Sequence, residues 1–231
     1  MSRYVCADLH GNLKLWQEIE KFLKPTDTVY VLGDCGDRGG EPWKTIKAVA
    51  ANPKVVYIKG NHEDMLAKAM KEWLEDGYIG DAAYLLFSNG GAETLDGWLN
   101  DGAKIGWMNY LNKLPTHIEL LNTQGIKCHL VHAGFTPGSD VKPTEKDLIW
   151  NRDHFYDNWY GKDNELVIHG HTNVVKVAHR IGEPFAFDTE EKLGAFWYCD
   201  NHKVCIDLGT YITGQTVLLD LDTFDEHIFK L

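Results

Sequence analysis

Seven residues of metal-ligand or acid-base type stand at the ends of five short apolar runs. Asp8 and His10 follow RYVCAD (3–8), Asp34 closes TVYVLGD (28–34), Asn61 and His62 end KVVYIKGN (54–61), His132 sits in KCHLVHAG (127–134), and His171 closes ELVIHGH (165–171). Side chains at i and i+2 share a face of an extended chain, so Asp8 and His10 can reach one ion. Asp8, Asp34, His10, His132, His171 and the amide oxygen of Asn61 make a mixed oxygen and nitrogen donor set. Such a set suits manganese, iron, zinc or similar ions, and it lacks the thiolates of a structural zinc site. It is large enough for two cations that share one carboxylate. Each signal has an ordinary alternative: Asp34 could cap a helix, Asn61 could sit in a turn after Gly60, and His132 and His171 could be core histidines. Their joint occurrence at five successive run ends, each beside a glycine, favours one shared site.

Apolar runs of this length, rich in Val, Ile, Leu, Tyr and Cys, predict buried strands. Between them LKLWQEIEKFLK (13–24), PWKTIKAVAA (42–51) and HEDMLAKAMKEWLED (62–76) repeat apolar residues every three or four positions and predict helices. Alternation of strand and helix implies βαβ crossovers, with ligand chemistry at the carboxyl ends of the strands. Residues 77–126 predict a helical insertion cut by glycines, 173–204 an irregular segment beside the cleft, and 203–222 a closing strand pair in a second sheet layer. No repeat or linker divides the 231 residues, which predicts one domain. Twenty-three basic against 34 acidic residues, a net charge of −11, argue against binding nucleic acid or an anionic membrane. No apolar stretch approaches a membrane span, and MSRYVCADLHGN lacks the features of a signal peptide. Cys6, Cys35, Cys128, Cys199 and Cys205, odd in number and mostly within apolar runs, predict reduced thiols and a cytoplasmic protein.

The motifs ADLHG (7–11), GDCGDRG (33–39), GNHED (60–64), HAG (132–134) and HGHT (169–172) resemble, in order, those of the phosphoprotein phosphatase branch of the metallophosphoesterases. The likeness is closest to the compact bacterial and bacteriophage-type serine/threonine protein phosphatases, with support from FSNGG (87–91), LIWNRD (148–153) and CIDLGT (205–210). This resemblance implies an α/β fold, a four-layer α/β/β/α calcineurin-like sandwich. It implies that Asp8, His10 and Asp34 hold one divalent cation and that Asp34, Asn61, His132 and His171 hold a second, with Asp34 as the bridge. Manganese is the foremost candidate, with iron, zinc, nickel or cobalt as alternatives. Two cations about 3.5–4 Å apart lower the pKa of a bridging water and clamp a phosphate for in-line attack by the hydroxide. His62 would protonate the leaving alkoxide, and Asp37 would fix its tautomer. Arg38 and Arg152 would grip the phosphate oxygens, with Asn61 beside them. The implied substrate is phosphoserine or phosphothreonine in a protein or peptide, with phosphotyrosine as a further option.

Related symmetrical diadenosine tetraphosphate hydrolases share most of these motifs and provide the alternative activity. An aromatic cleft from 77–110 or 180–201 would favour it. A catalytically silent binding module is the reading from another class. Lys59 stands where an arginine is usual, and an ammonium cannot make a bidentate fork. Cys35 adjoins Asp34 where a larger apolar residue is usual. Asn173 replaces a histidine common in nucleases of the wider superfamily, and residues 180–201 predict a hairpin at the cleft. Glu63 reads as an early helix residue favoured by the helix dipole, His169 as a partner of the site or a core residue, and His129 as structural. Cys199, His202 and Cys205 make only a weak metal triad.

Overall fold

The computed structural model describes residues 1–183 and 193–231. Along the chain run β1 (Arg3–Cys6), α1 (Leu13–Phe22), β2 (Thr28–Val31), α2 (Pro42–Ala51), β3 (Val55–Tyr57) and α3 (Asn61–Asp76). There follow α4 (Asp81–Ser88), α5 (Ala92–Leu99), α6 (Lys104–Asn112), β4 (His117–Leu121), β5 (Lys127–Val131), α7 (Glu145–Trp150) and β6 (Glu165–His169). The chain ends with α8 (Val174–Ile181), β7 (Phe196–Tyr198), β8 (Lys203–Cys205), α9 (Thr210–Thr213), β9 (Gln215–Asp220) and β10 (Glu226–Lys230). These strands form two mixed sheets, ordered β10-β9-β1-β2-β3 and β4-β5-β6-β8-β7. In each sheet three adjacent strands that lead into polar loops run parallel: β1, β2 and β3 in one, β5, β6 and β8 in the other.

Burial follows from these patterns. Trp16 and Ile19 of α1 and Trp43, Ile46 and Val49 of α2 pack with β1 and β2 in one apolar core, joined by Met65, Leu66 and Met70 of α3 and Trp98 of α5. A second core lies between the sheets, where Val5 and Leu219 meet Cys128, Leu130, Leu166, Ile168 and Val204. The outer face of the second sheet carries a smaller cluster of Val131, Phe135, Leu148 and Val167. The fold is thus the expected layered α/β sandwich, with a thick helical layer over the first sheet and a thin one over the second.

Several sequence expectations are corrected. Residues 203–222 do not form a strand pair: β8 lies parallel to β6 in the second sheet, and β9 runs antiparallel to β1 in the first. Both strands are buried along their whole length, so neither has an alternation that could reveal its partner. The insertion is helical only through α6, and its remainder contains β4, whose mixed burial on an edge weakens the apolar signal. The segment expected to be irregular contains α8, β7 and β8. Asn173 is the N-cap of α8, its side chain accepting from the Lys176 amide at 3.0 Å. The hairpin over 180–201 lies in part outside the described residues, and within it β7 pairs antiparallel with β8.

Candidate active site

The loops leaving β1, β2, β3, β5 and β6 bring the seven strand-end residues together. Asp8, His10, Asp34, Asn61, His62 and His132 are buried, and His171 is half-buried. Asp8, His10, Asp34, Asp37, Arg38 and His171 all have positive φ, between 42° and 66°. Left-handed backbone is disfavoured for residues with a Cβ, and such strain gathers at functional sites. Gly33 must be glycine: with φ at +86°, a Cβ would lie 2.4 Å from the Gly60 amide nitrogen. That close approach sets the β2 loop against the start of α3.

Around Asp34 the donor atoms converge. Its Oδ2 lies 3.4 Å from His132 Nε2, 3.7 Å from His62 Nε2 and 3.8 Å from His10 Nε2. Asn61 Oδ1 is 2.9 Å from His132 Nε2 and 2.8 Å from His171 Nδ1, and those two nitrogens are 3.2 Å apart. His132 donates from Nδ1 to the Leu32 carbonyl at 2.6 Å, which leaves its Nε2 as a lone pair facing the amide oxygen. His10 likewise donates from Nδ1 to the Gly36 carbonyl at 3.1 Å and presents Nε2 inward, 4.0 Å from Asp8 Oδ1. Burial pushes His10 down to about 3 and also lowers His132 and His171, so these imidazoles are neutral near pH 7. Burial, Asp207 and Asp34 push the Asp8 carboxyl well above its ordinary value; burial, with Asp34 adding to it, raises Asp207 to about 6. Acceptors crowded at such distances repel one another unless cations lie among them. Asp34 with His10 on one side, and with His132 and His171 on the other, supplies donor groups for two divalent ions.

Next to this cluster stands an acid-base pair. His62 Nδ1 is 2.5 Å from Asp37 Oδ2, and the Thr94 hydroxyl donates to the other oxygen of Asp37 while accepting from its amide. Burial disfavours the His62 cation, but Asp34 and Asp37 outweigh it and raise its pKa. The exposed Arg38 places Nη1 and Nη2 each 3.0 Å from Nε2 of His10 and of His62. Its Nε and amide bond the carbonyls of Asn89 and Gly90 in the FSNGG segment, and its guanidinium lies 4.9 Å over the Tyr211 ring. Arg152 donates from Nε to Thr172 Oγ1 at 3.1 Å, next to His171.

The calcineurin-like phosphoesterase profile matches residues 1–204. The chain belongs to that family. It is therefore a metallophosphoesterase, a class of phosphoester hydrolases that use divalent metals. Its fold is similar to that of a protein assigned as a diadenosine tetraphosphatase, with a TM-score of 0.64, 15% identity and coverage of 98% of this chain and 92% of that one. It is also similar to a serine/threonine phosphatase from Saccharomyces cerevisiae, with a TM-score of 0.56, 13% identity and coverage of 100% and 80%. A third likeness is to the cold-active protein-tyrosine phosphatase of a psychrophilic Shewanella, with a TM-score of 0.51, 16% identity and coverage of 98% and 77%. At these identities the likeness establishes a common fold. No curated protein matches the chain.

Four contributors escaped the sequence reading. Glu63, read as a dipole residue, is buried and accepts from the amides of Asp34, Cys35 and Gly60 at 2.8–3.0 Å and from the Tyr57 hydroxyl at 2.7 Å. Asp207 follows the sixth parallel strand, β8, and the rule that found the other strand-end residues would have flagged it. Thr94 and Tyr211 carry no local signal, because only the fold brings them to Asp37 and Arg38. Other residues add no donor group to the cluster. Lys59 bonds Glu145 and the Asn112 carbonyl, each at 3.0 Å, and His169 pairs with the Tyr198 hydroxyl in the core. Cys35 is buried and its thiol is pushed well above its ordinary value. Cys205 donates to the Thr172 carbonyl and His202 stacks on Trp159. No helix among the described residues is long and apolar enough to cross a membrane.

Two outcomes are expected. Glu63→Ala strands three backbone amides and a phenol, which should destabilise the fold by about 3 kcal/mol or more and lower kcat; urea unfolding and initial rates check this. Asp34→Asn should remove most bound manganese in equilibrium dialysis and abolish the rise in Tm that manganese gives the wild type, worth about 2.7 kcal/mol at a hundred times Kd. Retention of both the metal and the Tm rise would remove Asp34 from its bridging place.

Proposed function

We propose that the chain is a phosphomonoesterase acting on phosphoserine and phosphothreonine in proteins or peptides, with phosphotyrosine as a secondary substrate. It would work with two divalent cations, manganese foremost. The observation that carries this reading is the His62–Asp37 pair, buried beside the donor cluster with its imidazole biased toward the cation. A serine or threonine alkoxide is a strong base and needs a proton as it leaves, whereas a nucleoside diphosphate is a far weaker base. A carboxylate-held imidazole of raised pKa is matched to the first task.

Asp8, His10 and Asp34 would hold one cation, and Asp34, Asn61, His132 and His171 the other. The pair would supply an activated water and offset the charge on the phosphate. Arg38 spans His10 and His62 from an exposed position. A phosphate that draws its guanidinium away would free His62 Nε2 to donate to the leaving oxygen. Arg152, held by Thr172 across the site, would bind a second phosphate oxygen with the fork that Lys59 cannot offer. These two arginines would provide local positive charge on a chain that is acidic overall.

A specific observation keeps the symmetrical dinucleoside polyphosphate reading as the second one. Two aromatics stand at the site, though not from the segments expected: Tyr211 lies against Arg38 and His10, and Trp150 lies edge-on to His171 at 6.1 Å. Either could stack on a nucleobase.

With manganese present, turnover of a phosphothreonine peptide should exceed that of diadenosine tetraphosphate when initial rates are compared side by side. Faster release of two nucleoside diphosphates would replace the first reading by the second, and turnover of neither would leave a binding module. His62→Asn should cost about 100-fold or more on the peptide and much less on p-nitrophenyl phosphate, whose leaving group needs little protonation. Equal losses on both would take the acid role from His62.

A further inference from the structure

We propose that His117, Glu119 and His129 form a separate metal site, for a divalent transition cation of the zinc type, on the outer face of the second sheet. The three residues come from the edge hairpin. Glu119 of β4 lies directly opposite His129 of β5 in the antiparallel register, and His117, two residues before Glu119, shares its face. Cys128 and Leu130 face the core between the sheets, while Val131 joins the outer cluster with Phe135. His129 therefore points outward, and His132, reaching Leu32 of the first sheet, points the other way. The outer cluster is thus distinct from the candidate catalytic centre.

Its geometry is that of a chelate. His117 Nε2 and His129 Nδ1 are 3.2 Å apart, and His129 Nδ1 is 3.5 Å from Glu119 Oε1. All three ligand atoms lie within 4.8 Å of one another. Bonds of about 2.0–2.1 Å at tetrahedral angles place neighbouring ligand atoms about 3.3–3.4 Å apart, close to both spacings. A hydrogen bond between the two rings would account for the first distance alone. With His117 as the donor, it would leave the Glu119 oxygen facing the accepting lone pair of His129, a repulsion that a cation converts into attraction.

The ligands are also held before any ion arrives. The imidazoles lie 16° from parallel with centroids 5.3 Å apart, and Phe135 braces both edge-on at 5.1 and 5.4 Å. Lys127 holds Glu119 through Oε2 at 2.7 Å, which leaves Oε1 toward His129. Glu165 is the other charge at this face, 3.9 Å from Lys127. Burial lowers the pKa of both imidazoles, His129 to about 4, so neutral ring nitrogens are available near pH 7. Two imidazoles and a carboxylate select zinc-like ions over magnesium or calcium, and three protein ligands leave a position open to solvent. A bound ion would pin the edge strand β4 to β5, the strand that delivers His132.

The test uses the manganese-loaded protein and zinc itself. Equilibrium dialysis should show that His117→Ala and Glu119→Gln each lose about one zinc relative to the wild type, with affinity at that site reduced about 100-fold. Both substitutions fall on the hairpin away from Asp34, and manganese-supported phosphatase activity should stay within about twofold, which separates ligand loss from misfolding. Anomalous diffraction at the zinc edge should show a peak among His117 Nε2, Glu119 Oε1 and His129 Nδ1. Unchanged zinc stoichiometry in both variants, or no peak at this triad in zinc-soaked crystals, would overturn the proposal.

Discussion

Asp8, Asp34 and Asp207 are buried within reach of one another's charge, and four imidazoles and an amide oxygen crowd the same space. Taken out of water, such groups repel and lose solvation, so the arrangement is costly unless cations or donors occupy the middle. The rest of the architecture can be understood as the means of holding these groups together. Two sheets, each with three parallel strands leading into the site, aim their carboxyl ends at one place. The apolar cores on either side keep those ends from moving apart.

Holding them also requires backbone that the chain would not adopt alone. Six residues of the site lie in left-handed conformation, each at a cost of order 1 kcal/mol. Hydrogen bonds offset part of that cost. The Glu63 carboxylate binds three amides at the junction of the β2 loop and α3, and Asp34 Oδ1 accepts from the His62 amide at 3.0 Å. Asp8 in turn accepts from the His171 amide at 3.0 Å, tying the first sheet to the second. Asp8 and Asp34 therefore both present an oxygen to the centre and fix the loop opposite.

The same economy extends to charge. The chain is strongly acidic, yet the candidate phosphate-facing groups Arg38 and Arg152 stand on opposite sides of the donor cluster. Arg38 is held by loop carbonyls and an aromatic ring, and among the described residues no carboxylate pairs with it. Tyr211 stands against His10 and Arg38, and Trp150 against His171. The His117–Glu119–His129 cluster lies on the other face of the sheet that carries His132, so a single strand, β5, serves both places.

The sequence by itself determined which strand-end residues the fold gathers, because apolar runs ending in Asp, His or Asn beside glycine have few other uses when they recur five times. It also determined the parallel αβ core, since the helical and strand periods of residues 3–76 are clean. Which strands share a sheet was decided only by tertiary structure: β8 and β9 are buried throughout, and a uniformly buried strand does not encode its neighbour. The edge strands β4 and β10, half exposed, have too weak a pattern to be read locally. Thr94, Tyr211 and the four-bond role of Glu63 likewise depend on contacts between distant segments. A side chain's type can be read in one dimension, but its hydrogen-bond partner is set by the packing that brings two loops within 3 Å.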